Sequence, residues 1–451
     1  MSNYTAPEKK SEKLRDVNFQ NETESAKNQK AETPFDIITQ NANIKFFKSQ
    51  NAEYYINIDA RDFGICGNPI IKSNAFDVMI SLLLNKITEN IWEEKEINKI
   101  KRNCSALATI NAEFFGLDNR LGFKNNRIFY DLCNKKHEVI SISDNEISTI
   151  KKYDTTIMFA INENAKEQIS PNLQSGKNKY LELLKRHFKL KNEDDLLLLA
   201  IYIIACFIPH IPHPVLNLYG TQGSSKSTTA RNIKSIIDPA HSAAISLPNK
   251  RRDLIATLSD TYVTIFDNIS EFSTATSDML CQTVNNDNAL NRTLYTGNDK
   301  NIIQLRSCVI LTSINIAPKN ADLLDRSILI ELDRLNGKER KTEESIKADF
   351  NRDLPEIIGS IFQILSEILS YDFDKLPDFE LPRMADFAKY GYVIGEILEA
   401  NGGKRFLEIY GNNINVAEHE ILMENPICDI IKRFVRENPE WIGTMTQLYR
   451  D

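Results

Sequence analysis

Val215-Leu216-Asn217-Leu218-Tyr219-Gly220-Thr221-Gln222-Gly223-Ser224-Ser225-Lys226-Ser227-Thr228 sets the fold class of this chain. Its first five residues form an apolar run of strand length, the next seven are rich in Gly and Ser, and a helical pattern follows to Ile237. A strand, a glycine-rich turn and a helix in that order make a cradle for phosphate. The glycines let the backbone curl so that successive N–H groups point inward, and the helix N-terminus adds its partial positive charge. Gly220, Thr221, Gln222, Gly223, Ser224, Ser225, Lys226, Ser227 and Thr228 line that cradle, with Lys226 reaching the β- and γ-phosphates and Ser227 holding Mg²⁺. Ser225 is the departure, since the pattern places Gly directly before the Lys. A Ser fits there if that position keeps a helical or near-helical backbone.

Asp267 follows Lys226 by 41 residues and closes the apolar run Tyr262–Phe266. The interval has room for the helix after the loop, a strand near 243–247 and a helix near 253–259, which is two crossovers of a parallel sheet. Asp267 then stands at the carboxyl end of the sheet beside the loop, where its carboxylate joins Ser227 in holding Mg²⁺. The next residue is Asn268, where many such sites carry a Glu that polarises the attacking water; Glu271 is near enough to substitute. A further apolar strand, 307–314, ends at Asn315, which reads either as a sensor of the γ-phosphate or as a turn residue. Asp322-Leu323-Leu324-Asp325-Arg326-Ser327 leads into another strand, and Arg326 either projects into a neighbouring subunit's nucleotide or pairs with Asp322 or Asp325. Arg383, opening a later helix, is a candidate for reaching back to the γ-phosphate. Between Asp267 and Asn315, residues 291–305 read as a β-hairpin with Lys300 near the tip and Arg292 at the base. The hairpin either grips a nucleic-acid backbone or is a surface hairpin with solvated cations. Lys250-Arg251-Arg252 is equally open between DNA contact and a solvated helical turn.

Around this segment the chain of 451 residues reads as several units. Hydrophobic residues are 42% and charged residues 26%, a balance that excludes collagen-like and wholly disordered chains. The net charge of −7 leaves no global basic field, so contact with nucleic acid must be local. Seven scattered cysteines without a CxxC pair fit a reducing cytoplasm and no structural zinc. Residues 1–34 are polar and charge-rich and read as a disordered tail. Residues 35–192 read as an α+β domain without identifiable chemistry, 193–335 as the nucleotide core, 336–438 as a helical lid with helices at 354–369, 384–400 and 426–437, and 439–451 as the opening of a winged-helix unit that is truncated. The longest apolar run, Leu196–Ile208, is thirteen residues, short of the roughly 20 needed to span a membrane, and reads as a buried helix.

Loop, strand-end Asp, hairpin, strand-end Asn and Arg326 stand in the order found in AAA+ ATPases of the superfamily-3 helicase kind, which this chain resembles over about Val215–Leu332. The set Gly223…Lys226-Ser227, Asp238-Pro239, Arg252-Asp253-Leu254, Phe266-Asp267-Asn268-Ile269-Ser270, Leu294-Tyr295-Thr296, Asp322–Ser327 and Pro382–Ala388 is similar to primase/helicase-like ATP-binding proteins of phages, plasmids and integrated elements, which widens the resemblance to about Phe35–Asp451. The resemblance implies a P-loop NTPase (AAA+-like) three-layer α/β core with a mostly parallel sheet, ATP and Mg²⁺ as cofactors, ring assembly as a hexamer, and single-stranded or forked DNA as partner. In it Lys226, Ser227, Asp267, Asn315 and Arg326 take the nucleotide roles and Lys300 the hairpin role. No acidic pair or zinc-ligand cluster before Asn192 matches a primase site. Two functions follow as expectations: a DNA-coupled ATPase serving a mobile element, or a nucleotide-controlled oligomerising switch with slow hydrolysis.

Overall fold

The structure is a computed structural model that describes residues 33–448 except 50–52, 115, 161, 287, 293–299, 335–341, 425 and 439. The tail expected over 1–34 lies outside it, save that Thr33 caps helix α1 (Pro34–Asn41) through a capping box with Asp36.

The N-terminal unit follows with β1 (Asn43–Lys48), β2 (Tyr54–Ala60), β3 (Ile65–Gly67), α2 (Asn74–Thr88), α3 (Glu94–Asn111) and β4 (Glu113–Phe114). Its sheet has the order β3-β2-β1-β4, and its core of Ile56, Ile58, Phe76, Ile80, Leu84, Ile97 and Ile100 is its own. Next comes an antiparallel meander of β5 (Leu121–Lys124), β6 (Arg127–Asp131), β7 (Glu138–Ile142) and β8 (Ile147–Lys151). Asn125 and Asn126, both at positive φ, make the tight turn between β5 and β6, as a right-twisted two-residue hairpin requires. After the meander, Phe159 makes a single parallel bridge to Asp118.

Helices α4 (Tyr180–His187) and α5 (Glu193–Ala205) lead to the central layer. Asn192 caps α5 on the Asp195 N–H, three acidic residues fill its first turn, and ten consecutive residues from Leu196 to Ala205 are buried, so this helix is the spine of the molecule. The central sheet comprises β9 (Val215–Tyr219), β10 (Val263–Ile269), β13 (Cys308–Ser313) and β14 (Ser327–Glu331), all parallel, in the order β10-β13-β9-β14. Their near-continuous burial is what a sheet covered on both faces demands. Helices α6 (Lys226–Ile237), α7 (Arg251–Asp260), α8 (Thr274–Val284) and the short α9 (Ala321–Leu324) connect them, with the hairpin β11 (Asn288–Arg292) and β12 (Lys300–Gln304) inserted before β13. The strand expected near 243–247 is reduced to one bridge between Ile245 and Phe266, flanked by two backbone hydrogen bonds of about 3.0 Å. On the opposite edge Asn413 pairs its amide with the Leu329 backbone, donating to the carbonyl and accepting from the N–H.

Four helices close the chain: α10 (Glu343–Ser370), α11 (Ala385–Leu398), α12 (Gly402–Glu424) and α13 (Pro426–Glu437), followed by one turn, α14 (Met445–Leu448), where the winged-helix opening was expected. Helix α10 starts well before the expected Leu354, with Thr342 as its cap, and runs through Pro355. Its buried residues Ile357, Ile358, Ile361, Phe362 and Leu365 outweigh the roughly 3 kcal/mol of an internal proline.

The apolar core changes near residue 115 rather than at the expected 192/193 boundary. Leu121, Ile128, Tyr130, Ile140 and Ile142 of the meander share one core with α5, the central sheet and α10. Arg120 pins the meander to the end of α6. Buried itself, it donates to Asp238 Oδ1 (3.0 Å) and to the carbonyls of Asp131 (3.0 Å), Lys166 (2.8 Å) and Pro239 (2.9 Å).

Candidate functional site

The loop after β9 is built as the sequence requires at its glycines and differently at its serine. Gly220 has φ +142, and a Cβ there would lie 2.3 Å from the Leu332 carbonyl oxygen, so only glycine fits. Gly223 has φ +82. Ser225, expected near-helical, is instead left-handed at φ +61 and ψ +21, as the N-cap of α6. The turn between Gly223 and Lys226 needs one more left-handed residue to aim the helix, and Ser225 supplies it against its own preference.

Lys226 opens α6 and folds back into the loop. Its Nζ donates to the carbonyls of Gly220 (2.7 Å) and Thr221 (2.9 Å) and to Ser224 Oγ (3.3 Å). Burial pulls its pKa down, and the charge of Asp267 opposes that shift. The ammonium is thus already inside the cradle, held by neutral acceptors that a phosphate oxygen can replace.

Asp267 meets the loop from β10. Its Oδ1 accepts from Ser227 Oγ at 2.8 Å and from Thr312 Oγ1, and its Oδ2 lies 3.9 Å from Arg231 Nη2. The pairing of β10 with β13 shifts between Phe266 and Ile269, so one extra residue is accommodated there. Asn268, exposed and at φ +58, sits in that bulge and donates its N–H to Thr312 Oγ1 at 2.9 Å. Thr312 therefore fixes both residues, a role that the sequence reading missed; the signal was a hydroxyl directly after the apolar run Cys308–Leu311. A hydroxyl and a carboxylate side by side at the head of α6 are hard oxygen donors of the kind Mg²⁺ takes. Asn268 and Glu271, both exposed, line an open cleft of about 410 Å³ beside Asp267, together with Arg231.

Asn315 lies two residues past the end of β13 and is exposed. Its loop is tied to the phosphate loop by the Gly220 N–H donating to the Ile314 carbonyl (3.1 Å), and to β9 by the buried Asn217, which accepts the Ala317 N–H (3.2 Å). On the other flank of the loop a second cleft of about 410 Å³ is lined by Ser224, Thr228 and Asn232, by His187 at the end of α4, and by Ile346 and Asp349 of α10. His187 is held there by Asp353 (2.9 Å) and by edge-on packing against Phe350. These walls come from segments far apart in sequence, and no local pattern announced them.

Arg326 and Arg383 stand away from the loop. Arg326 is buried, and its Nη1 bonds the Asp322 carbonyl (2.7 Å) and carboxylate (2.5 Å) while its Nε reaches Asn285 Oδ1 (3.4 Å). Arg383 Nη2 donates to the same Asp322 Oδ1 at 2.5 Å. Arg326 first, then the Cys281 thiol and Arg383, hold the Asp322 carboxyl below its ordinary range against a smaller effect of burial.

The hairpin pairs Arg292 with Lys300 as the last register pair before its tip, and the tip itself, 293–299, lies outside the described residues. Lys250, Arg251 and Arg252 are exposed, the last two in the first turn of α7. Among the described residues no helix is long and apolar enough to cross a membrane.

Solved structures with a similar chain path include the SCCmec type IV Cch active helicase (14% identity, 88% of this chain and 78% of that one, TM-score 0.44). The apo NrS-1 C-terminal region gives 11% identity, 89% and 82% coverage and a TM-score of 0.41. The JCV helicase gives 12%, 54%, 74% and 0.24 in the same order. No curated protein matches. The family model for the actinomycete integrative conjugative element replication protein matches residues 181–415, which take in α4 to the middle of α12 and thus the loop, Asp267, Asp322 and both arginines. That is more than half of the chain, and the chain belongs to this family of mobile-element replication proteins.

Proposed function

We propose that this chain is a Mg²⁺-dependent ATPase that couples hydrolysis to movement along or unwinding of DNA during replication of a mobile element. The observation that carries the proposal is the contact of Ser227 with Asp267 at the head of α6, next to an ammonium already turned into a glycine-built cradle. A triphosphate would take over the Gly220 and Thr221 acceptors of Lys226, and the backbone N–H groups at the start of α6 would receive its β-phosphate oxygens. Ser227 and Asp267 would hold Mg²⁺, which supplies neutralisation of charge on the β- and γ-oxygens. Thr312 keeps the Asp267 carboxylate aimed at the loop. Glu271, with Asn268, faces the open cleft from which water would attack, and Asn315 stands beside the loop where a γ-phosphate would end. The cleft at His187 and Ile346 has the size and the mixed apolar and polar walls suited to a base and ribose. Lys300 and Arg292, on the hairpin, would supply phosphate contacts to DNA.

Asn268 favours a second reading. An amide cannot take a proton from water, and an exposed Glu271 is loosely placed for the task, so the chain would act as a nucleotide-controlled oligomerising switch with slow turnover. Steady-state ATP hydrolysis at low salt, with and without single-stranded DNA, separates the two. The motor expects DNA to raise turnover, Lys226→Ala to abolish hydrolysis, and Lys300→Ala to abolish only the rise. ATP binding through Lys226 with negligible turnover that ignores DNA refutes the motor and leaves the switch.

A further inference from the structure

β14 runs beside β9 with Ser327 opposite Val215 and Glu331 opposite Tyr219. The phosphate loop follows Tyr219 and so leaves the carboxyl end of both strands. Arg326 precedes Ser327, and its carbonyl accepts the Val215 N–H at 2.8 Å, which places it at the amino end. The four steps from Val215 to Tyr219, at about 3.3 Å each, put roughly 13 Å of sheet between Arg326 and its own loop. The guanidinium does not extend along that path; it turns onto Asp322. Arg383, which arrives from the segment before α11, ends on the same oxygen, so the two guanidinium groups share one locus. Two cations converge there only because an anion lies between them, and the Asp322 side chain is 47% exposed, so the locus opens to solvent.

We infer that Arg383 acts with Arg326 as one two-arginine clamp on the polyphosphate of a nucleotide held by a second copy of this chain, and that Asp322 Oδ1 occupies the place of a phosphate oxygen until that copy docks. The inference rests on the ATPase reading and reassigns Arg383, expected to serve its own loop, to the neighbour. Guanidinium forks match phosphoryl oxygens as they match carboxylate, and a doubly charged phosphate outcompetes a single carboxylate for two of them. A loop at one end of the sheet and a clamp at the other define a head-to-tail contact, which closes into a ring or continues as a filament.

Mixing variants tests this. Lys226→Ala lacks a working loop but keeps the clamp; Arg383→Ala keeps its loop but lacks half the clamp. Each alone should lose at least about 100-fold in turnover. Mixed one to one, about a quarter of head-to-tail contacts join an intact loop to an intact clamp, so turnover should return to a fraction of that order of the wild-type value. An Arg326→Ala mixture with Lys226→Ala is run in parallel, and ATP binding by Arg383→Ala alone shows that its loop is folded. Recovery with Arg326→Ala but none with Arg383→Ala, which still binds ATP, means that Arg383 serves its own loop and overturns the inference. Absence of recovery in both mixtures, with binding intact, overturns the clamp altogether. A wild-type chain that hydrolyses no ATP removes the underlying reading instead, and is seen before any mixing.

Discussion

Replacing Ser225 with glycine should stabilise the fold. Ser225 holds φ +61 and ψ +21, a conformation that costs an L-residue with a Cβ roughly 1–2 kcal/mol relative to the right-handed helix. Its hydroxyl makes no capping hydrogen bond, and its carbonyl, which accepts the Thr229 N–H at 2.9 Å, is untouched by the change. Glycine widens the unfolded ensemble and takes back about 0.4–1 kcal/mol. The net gain is about 0.5–1 kcal/mol, which for a chain of 451 residues raises Tm by about 0.5–1 °C. Thermal unfolding followed by circular dichroism reads it, with an ATP titration alongside in which affinity should be at least as high as in the wild type. Ser225→Ala keeps the Cβ and should leave stability within about 0.5 kcal/mol of the wild type. A Tm that falls for Ser225→Gly while Ser225→Ala leaves it unchanged refutes the strain assigned to this residue.

Thr312→Val removes the hydroxyl that orients Asp267 and accepts the Asn268 N–H; a hydrogen bond to a charged group is worth about 1.5–3 kcal/mol, so kcat should fall about 10- to 100-fold with a smaller change in KM, read by steady-state kinetics. Arg120→Met leaves Asp238 buried without its main cation and removes one donor from each of three carbonyls, and should cost about 3–5 kcal/mol in urea unfolding. Burial pushes the Asp118 carboxyl up from 3.8 to about 6, against the pull of Arg306 and Lys124. The folded chain then binds that proton more tightly than the unfolded one, so this contribution to stability is present below about pH 4 and lost as pH rises to about 6. Asp118→Asn should therefore add up to about 3 kcal/mol above pH 6 and little below pH 4, measured by urea unfolding across that range.

What could be read from sequence was local. The strand at Val215–Tyr219 and the helix to Ile237 carry their own periodicity, and Asp267 was placed because an apolar run must end where the sheet does. The features that escaped are set by partners remote along the chain. Thr312 meets Asp267 across 45 residues, and Arg383 meets Asp322 across 61. Arg120 reaches Asp238 across 118, which joins the meander to the layer of α6 and the central sheet, and the two share one core. The helix expected from 354 begins at Glu343 and carries Pro355 inside it, because the gain from burying one face of α10 exceeds the local penalty. Ser225 shows the converse: its type argues for a near-helical backbone, while the geometry between Gly223 and Lys226 imposes the left-handed one.

The edges of the central sheet bear on how copies of this chain can meet. Along β14 the Asn413 amide supplies a donor and an acceptor to Leu329 just as a neighbouring strand would, and along β10 the Ile245 segment does the same for Ile265 and Asp267. The central ladder is thus met on both flanks by a short piece that satisfies the edge at one position. Growth by strand addition, which is hard to reverse and does not count its members, is blocked at these positions. Any contact between copies at these edges would have to be made by side chains, which can loosen and re-form without disturbing the ladder beneath them.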